Sequence, residues 1–192
     1  MEADAPVDTL DAIHQRRSIK RYTDAPVSRD QIESLLEAAV QAPNHRMTGP
    51  WRFYVLGAEA RAAFGTVLGA RKAKRVDDPG AARAVVEKVT AMHRALPAMI
   101  VVATTVHENP EIREEDFASA WMAVQNLSLA AHAMGLGSHI KTGAVMDDPA
   151  ARAAFGVAED ERVVAMIEVG VPEAIPDAKN RIPARDFTTW VD

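Results

Sequence analysis

The chain has 192 residues, 48% hydrophobic and 26% charged, which is enough apolar material for one domain core and the wrong balance for a disordered chain. A formal net charge of -5 argues against a general nucleic-acid binder, and without cysteine there is no disulfide framework, thiolate nucleophile or thiolate-held metal. The stretch MEADAPVDTLDAIHQRR lacks a basic start and an apolar core, and the longest apolar run, PAMIVVA at 97–103, is too short to span a bilayer, so the expectation is a cytoplasmic protein, one domain over 1–192, with no membrane partner.

Residues 7–17 pattern as a short helix with Val7, Leu10 and Ile13 on one face. Overlapping its end, QRRSIKRY (15–22) gathers Arg16, Arg17, Lys20 and Arg21. Pro26 marks a turn, and Ser28 with Gln31 forms a capping box. The helix it opens carries Ile32, Leu35, Leu36, Ala39 and Val40 on one stripe, and Pro43 ends it. WRFYVLG (51–57) reads as a strand, and 59–68 as a helix with Ala60, Phe64, Val67 and Leu68 inward. The segment 69–95 is charged and broken by Pro79 and Gly80, and reads as a helical insertion or lid rather than core.

AMIVVATTV (98–106) is β-branched and apolar on both faces, the pattern of a central strand, and HENPEIREED reads as a polar connection. A long helix follows over 115–134, with Gly135 just past its end. GSHIKTGAV reads as loop and short strand. Asp148 caps a short helix with Pro149 at its first position and Gly156 at its end, and RVVAMIEVGVP (162–172) is another buried strand. About four strands among more helices predict a helix-rich α+β or α/β fold.

Three stretches could carry chemistry. The basic cluster has two readings, a solvated patch favoured at a helix C-terminus or an anion receptor built from guanidinium forks and the Ser18 hydroxyl. The loop QAPNHRMTGPWRF (41–53) is rich in hydrogen-bonding side chains, and reads either as a plain connection anchored by Trp51 or as a ligand contact. GLGSHIKTGA (135–144) follows a helix and precedes a strand, the reverse of a dinucleotide-binding turn; its glycines would let backbone amides approach a flat ligand. His14, His45, His93, His107, His132 and His139 have no metal-ligand spacing, and no nucleophile elbow or P-loop is present.

Taken in order, AIHQRRSIKRYTDAPVS, LLEAAVQAPNHRMTGPWRFYVL, AVQNLSLAAHAMGLGS, KTGAV and VVAMIEVGVPE resemble the nitroreductase family of FMN-dependent oxidoreductases, and within it the small single-domain bacterial branch. The resemblance implies an α+β sandwich, with a central mostly antiparallel sheet flanked by helices, forming an intertwined homodimer with FMN at the subunit interface. Arg16, Arg17 and Ser18 would hold the FMN phosphate and ribityl groups, and Gln41 and His45 would reach the flavin from the partner chain. Ile140, Lys141, Thr142 and Gly143 would line its other side through backbone N–H groups, with Ala130 to Gly135 near the nicotinamide of NAD(P)H. Lys141 or Arg46 would supply positive charge near the ring. No catalytic side chain and no metal is implied. The chain departs from the family pattern at MTGPW, where Gly49 offers no side chain to the flavin, and at NRIPARD, where Arg181 or Arg185 would replace the usual basic pair near the C-terminus. The implied activity is NAD(P)H-driven reduction of nitro compounds, quinones or a related acceptor. The alternatives are a flavin-binding sensor with little turnover, or a reductive dehalogenase or dehydrogenase on the same fold.

Overall fold

A computed structural model describes residues 8–191; Val7, placed above in the first helix, lies outside them. The elements in chain order are α1 (Thr9–Gln15), α2 (Arg29–Ala39), β1 (Trp51–Val55), α3 (Ala58–Ala73), α4 (Pro79–Arg94), β2 (Ala98–Thr105), α5 (Pro110–Ala133), β3 (Gly137–Lys141), α6 (Pro149–Phe155) and β4 (Glu161–Gly170). Short 3-10 turns lie at Ala144–Asp147 and Ala184–Phe187. The strands form one antiparallel sheet in the order β1-β2-β4-β3. This is the α+β sandwich expected, with β2 and β4 central.

Alternation along the central strands divides the core. Ile100, Val102, Ile167 and Val169 face α2 and α5 and pack with Leu35, Ala123, Val124 and Leu127. Met99, Val101, Val163 and Met166 face the other way and pack with Phe64, Ala151 and Phe155 from α3 and α6. Strands covered on both faces are mostly apolar, which is why β2 and β4, Thr104 and Glu168 apart, lack the polar alternation of a half-exposed strand along their buried stretches.

Local signals set several boundaries. Ser28 Oγ accepts from Gln31 N–H at 3.1 Å while Gln31 Oε1 accepts from Ser28 N–H at 2.9 Å, the capping box read from sequence. Asp148 caps α6 with Pro149 in its first turn, also as read.

Three boundaries differ from the sequence reading. The first helix stops at Gln15, because Arg16 turns extended (φ -52°, ψ 132°) to lead the chain into pairing with β3. The long helix starts at Pro110, not 115: Asn109 caps it by accepting from Glu111 N–H at 2.9 Å. The polar connection therefore contains an Asn-Pro-Glu helix start. The helix expected to end at 68 continues to Ala73, and α4 folds back along it. This pairing is close, since a Cβ on Gly65 would lie 2.9 Å from Thr90 Cα. It buries Val89 and His93, with the His93 ring edge-on to Phe64 at 5.3 Å.

Candidate functional site

The basic segment is laid as a short added strand along the outer edge of β3. Ile19 N–H donates to Ser138 O at 3.0 Å, and Thr23 N–H to Val171 O at 2.9 Å. Ile19 is buried, and Tyr22 Oη donates to Ile19 O at 2.8 Å. The approach depends on Gly137, because a Cβ there would meet Ile19 Cγ1 at 2.4 Å and Ile19 Cβ at 2.7 Å. Gly137→Ala is therefore expected to push the 16–19 segment outward at a cost of about 1–3 kcal/mol. Thermal unfolding should record that cost, and Gly137→Ala combined with Ile19→Ala should recover part of it.

With Ile19 and Tyr22 turned inward, Arg16, Arg17, Lys20 and Arg21 line a cleft of about 830 Å³ whose far wall is the C-terminal tail with Lys179 and Arg181. Asp177 is the acidic side chain in that lining. Arg21 pairs with Glu173 at 3.6 Å, and Arg17 Nη1 donates to His14 O at 2.7 Å and Arg16 O at 3.0 Å. Arg17 Nε is buried without a partner among the described residues. Burial, and then repulsion from Arg181 and Arg17, push the Arg16 guanidinium below its ordinary pKa. Clustered, partly desolvated guanidinium groups that outnumber Asp177, the acidic side chain in the lining, are a receptor for a planar or tetrahedral oxyanion. Arg181 joins the cluster, whereas Arg185 pairs with Asp186 at 3.7 Å and does not line the cleft. A smaller adjoining recess brings Ser128, His132, Gly135 and Ser138 against Arg16 and Arg17, and Ser138 Oγ is buried there without a partner among the described residues.

Ile140 packs against the α5-side core. Lys141 turns its ammonium to Glu168 and stays partly exposed, while Thr142 and Gly143 are fully on the surface where the chain leaves β3. At about 3.3 Å per residue, Lys141 is roughly 10 Å along the strand from Ser138, where the basic segment is bonded. The backbone of 140–143 and the guanidinium cluster thus share one sheet edge.

Gln41 and His45 lie elsewhere. Both are exposed, and His45 Nδ1 is 3.0 Å from Glu115 Oε1 in the first half of α5. His132, beside Arg16, is at the other end of that helix, so the two places are about 25 Å apart at 1.5 Å per residue. The loop bearing His45 is firmly held. Buried Asp116 accepts from Thr48 Oγ1 at 2.5 Å, Asn44 Oδ1 accepts from Gly49 N–H at 2.9 Å, and Met47 takes a left-handed φ of 52°. Arg46 is bound up with Glu115 and Glu111, at 3.0 and 3.2 Å.

Sequence reasoning missed Glu168 and Asp116, both buried carboxylates that organise the neighbourhood of these loops. Glu168 had a legible signal, a lone charge inside the apolar run VVAMIEVG, which demands a buried partner. Asp116 had none, because it is the last residue of HENPEIREED, read as a polar connection.

Known proteins resemble this chain in sequence and fold. The model of the Nitroreductase family matches residues 13–171. The Bacillus subtilis protein named "Putative NAD(P)H nitroreductase YfhC" is 36% identical over 183 residues, covering 93% of this chain and 92% of that one. The crystal structure of a nitroreductase-like family protein from Bacillus cereus superposes with a TM-score of 0.85 at 25% identity, covering 99% of both chains. A second crystal structure, a "putative nitroreductase in complex with fmn" from Desulfovibrio desulfuricans, gives 0.72 at 27% identity, covering 95% of this chain and 96% of that one.

Proposed function

The chain belongs to the nitroreductase family, and from that premise we propose that it is an FMN-dependent oxidoreductase that uses NAD(P)H to reduce nitro compounds, quinones or a related acceptor. The observation that carries the proposal is the meeting of Arg16, Arg17 and Arg181 in one cleft, with Arg17 Nε buried and unpartnered among the described residues. The name of YfhC and the FMN bound to the Desulfovibrio relative support the reading.

The residues present fit the group. Arg16, Arg17 and Arg181, with the Ser18 hydroxyl, would hold the FMN phosphate, and the backbone of 140–143 would face the ring. When bound, FMN would supply the two-electron redox chemistry, which no side chain here can perform. The protein's part is to bind and orient. The β3 edge gives a flat platform, and the recess lined by His132 and Gly135 is proposed to admit the nicotinamide end of the donor. No side chain is assigned as a catalytic acid, since stacking and position are the main requirements. The exposed tip between α3 and α4, residues 74–78, is proposed to select the acceptor.

Gln41 and His45 are too far from Arg16 in one chain to touch the same cofactor, so the reading requires a homodimer in which each cofactor touches both chains. Exposed apolar groups support that assembly: Leu10 and Ile13 on α1 are 64% and 49% exposed, and Trp190 in the tail is 89% exposed. Sedimentation at micromolar concentration is expected to show a dimer.

The deciding experiment is a visible absorption spectrum of the purified protein followed by anaerobic addition of NADH or NADPH. The expected result is a flavin band that bleaches with at least one nucleotide. A yellow protein that bleaches with neither would favour a flavin-binding sensor. A colourless protein that takes up no added FMN would overturn the proposal.

A further inference from the structure

A second charged cluster, behind the end of β3, lies outside the anion cleft. Glu168 sits near the C-terminal end of β4, 3% exposed, between Met99 of β2 and His139 of β3 in the sheet register. Lys141 Nζ donates to its Oε1. His139 Nδ1 stands 3.4 Å from Oε2 without hydrogen-bond geometry. Across the face, α4 brings in His93, whose Nε2 is buried without a partner among the described residues. Burial lowers the pKa of both histidines. Glu168 opposes the shift at His139, while Lys141 and then Lys20 add to it. With both rings neutral, Lys141 is the cation that balances Glu168, and a carboxylate this deep is costly without one.

The position of the pair gives it a consequence. Lys141 is the last residue of β3, directly before exposed Thr142 and Gly143, on the strand that also carries the guanidinium segment. A ligand anchored by its phosphate at Arg16 and lying along this edge would rest over the Lys141 backbone. Whether it meets a positive charge there depends on where the ammonium points and what cancels it.

We propose that Glu168 is a positioning residue that holds the Lys141 ammonium against β4 and cancels its charge, so that the end of β3 presents backbone N–H groups but no net cation to the bound ring. The inference rests on the FMN reading above. Its consequence is electrostatic: Glu168 keeps the reduction potential of the bound flavin lower than an uncompensated Lys141 would allow.

The test measures the midpoint potential of bound FMN in the wild type and in Glu168→Gln, Lys141→Met/Glu168→Gln and Lys141→Arg. Glu168→Gln leaves the lysine charge uncompensated and should move the potential to a more positive value. The double variant, neutral at both positions, should return to the wild-type value, and Lys141→Arg, with the pair kept, should stay there. If Glu168→Gln and the double variant shift alike, or neither shifts, the pair is only structural and the inference is overturned. A second readout needs no cofactor. In Lys141→Met, Glu168 is left beside His139, and the imidazole titration followed by NMR should move to higher pH; an unmoved titration overturns the shared field on which the inference depends. FMN affinity, measured by fluorescence quenching, separates the two levels. A wild type that binds no FMN ends both proposals, whereas one that binds FMN without the expected order of potentials ends only this one.

Discussion

Replacing Arg16 and Arg181 together with alanine is expected to abolish FMN retention during purification, and Arg16→Ala alone should weaken FMN binding roughly ten- to hundredfold. That magnitude follows from the cost of losing one hydrogen bond to a charged group, about 1.5–3 kcal/mol, with every 1.4 kcal/mol about tenfold in affinity. Arg16 is the member of the cluster with most to gain from an anion, since burial and two neighbouring guanidinium groups all disfavour its charged form. The same repulsion disfavours the folded state, so Arg16→Ala should leave the thermal stability of the FMN-free protein unchanged or slightly raised while affinity falls. That opposite movement distinguishes a binding role from a structural one. Arg16→Lys should recover only part of the affinity, because an ammonium lacks the planar fork. Fluorescence quenching of free FMN at increasing salt checks all of this. The wild type should lose affinity as salt rises, and Arg16→Ala should show a weaker dependence.

The largest stability effect is expected at Phe64. Its ring is 1% exposed and lies 4.9 Å from Phe155 and 5.3 Å from His93, so it joins α3 to α6 and α4 beneath the sheet. Phe64→Ala removes those contacts and leaves a cavity that helices packed on three sides cannot collapse to fill. The expected cost is about 3–5 kcal/mol. For a chain of this size that lowers the melting temperature by roughly 6–20 °C, measurable by calorimetry. FMN affinity of the folded fraction should change little, because Phe64 lies on the sheet face opposite α5, away from the guanidinium cleft. A variant that unfolds at the same temperature as the wild type would mean that this half of the core is repacked around another residue.

Elements with local causes were legible in the amino-acid order. Ser28 and Gln31 close a capping box within three residues, Asp148 and Pro149 start α6, and β2 and β4 are apolar at successive positions because both sides are covered. The resemblance to the family was legible for the same reason, since it rests on short stretches in a fixed order. Where local rules compete, the sequence reading slipped: Asn109-Pro110 was a helix start hidden in a charged run, and Arg16 kept a helical pattern while its backbone was drawn out to pair with β3. Which charges meet was settled by the folded chain alone. Arg181 joins Arg16 and Arg185 does not, because the tail folds along the basic segment. Lys141 faces Glu168 because the β3–β4 register places them on the same face of the sheet. Helix and strand patterns arise from neighbours along the chain, whereas a charge cluster depends on registers and crossings set by the whole core. That is why the candidate residues could be named from the sequence and their partners could not.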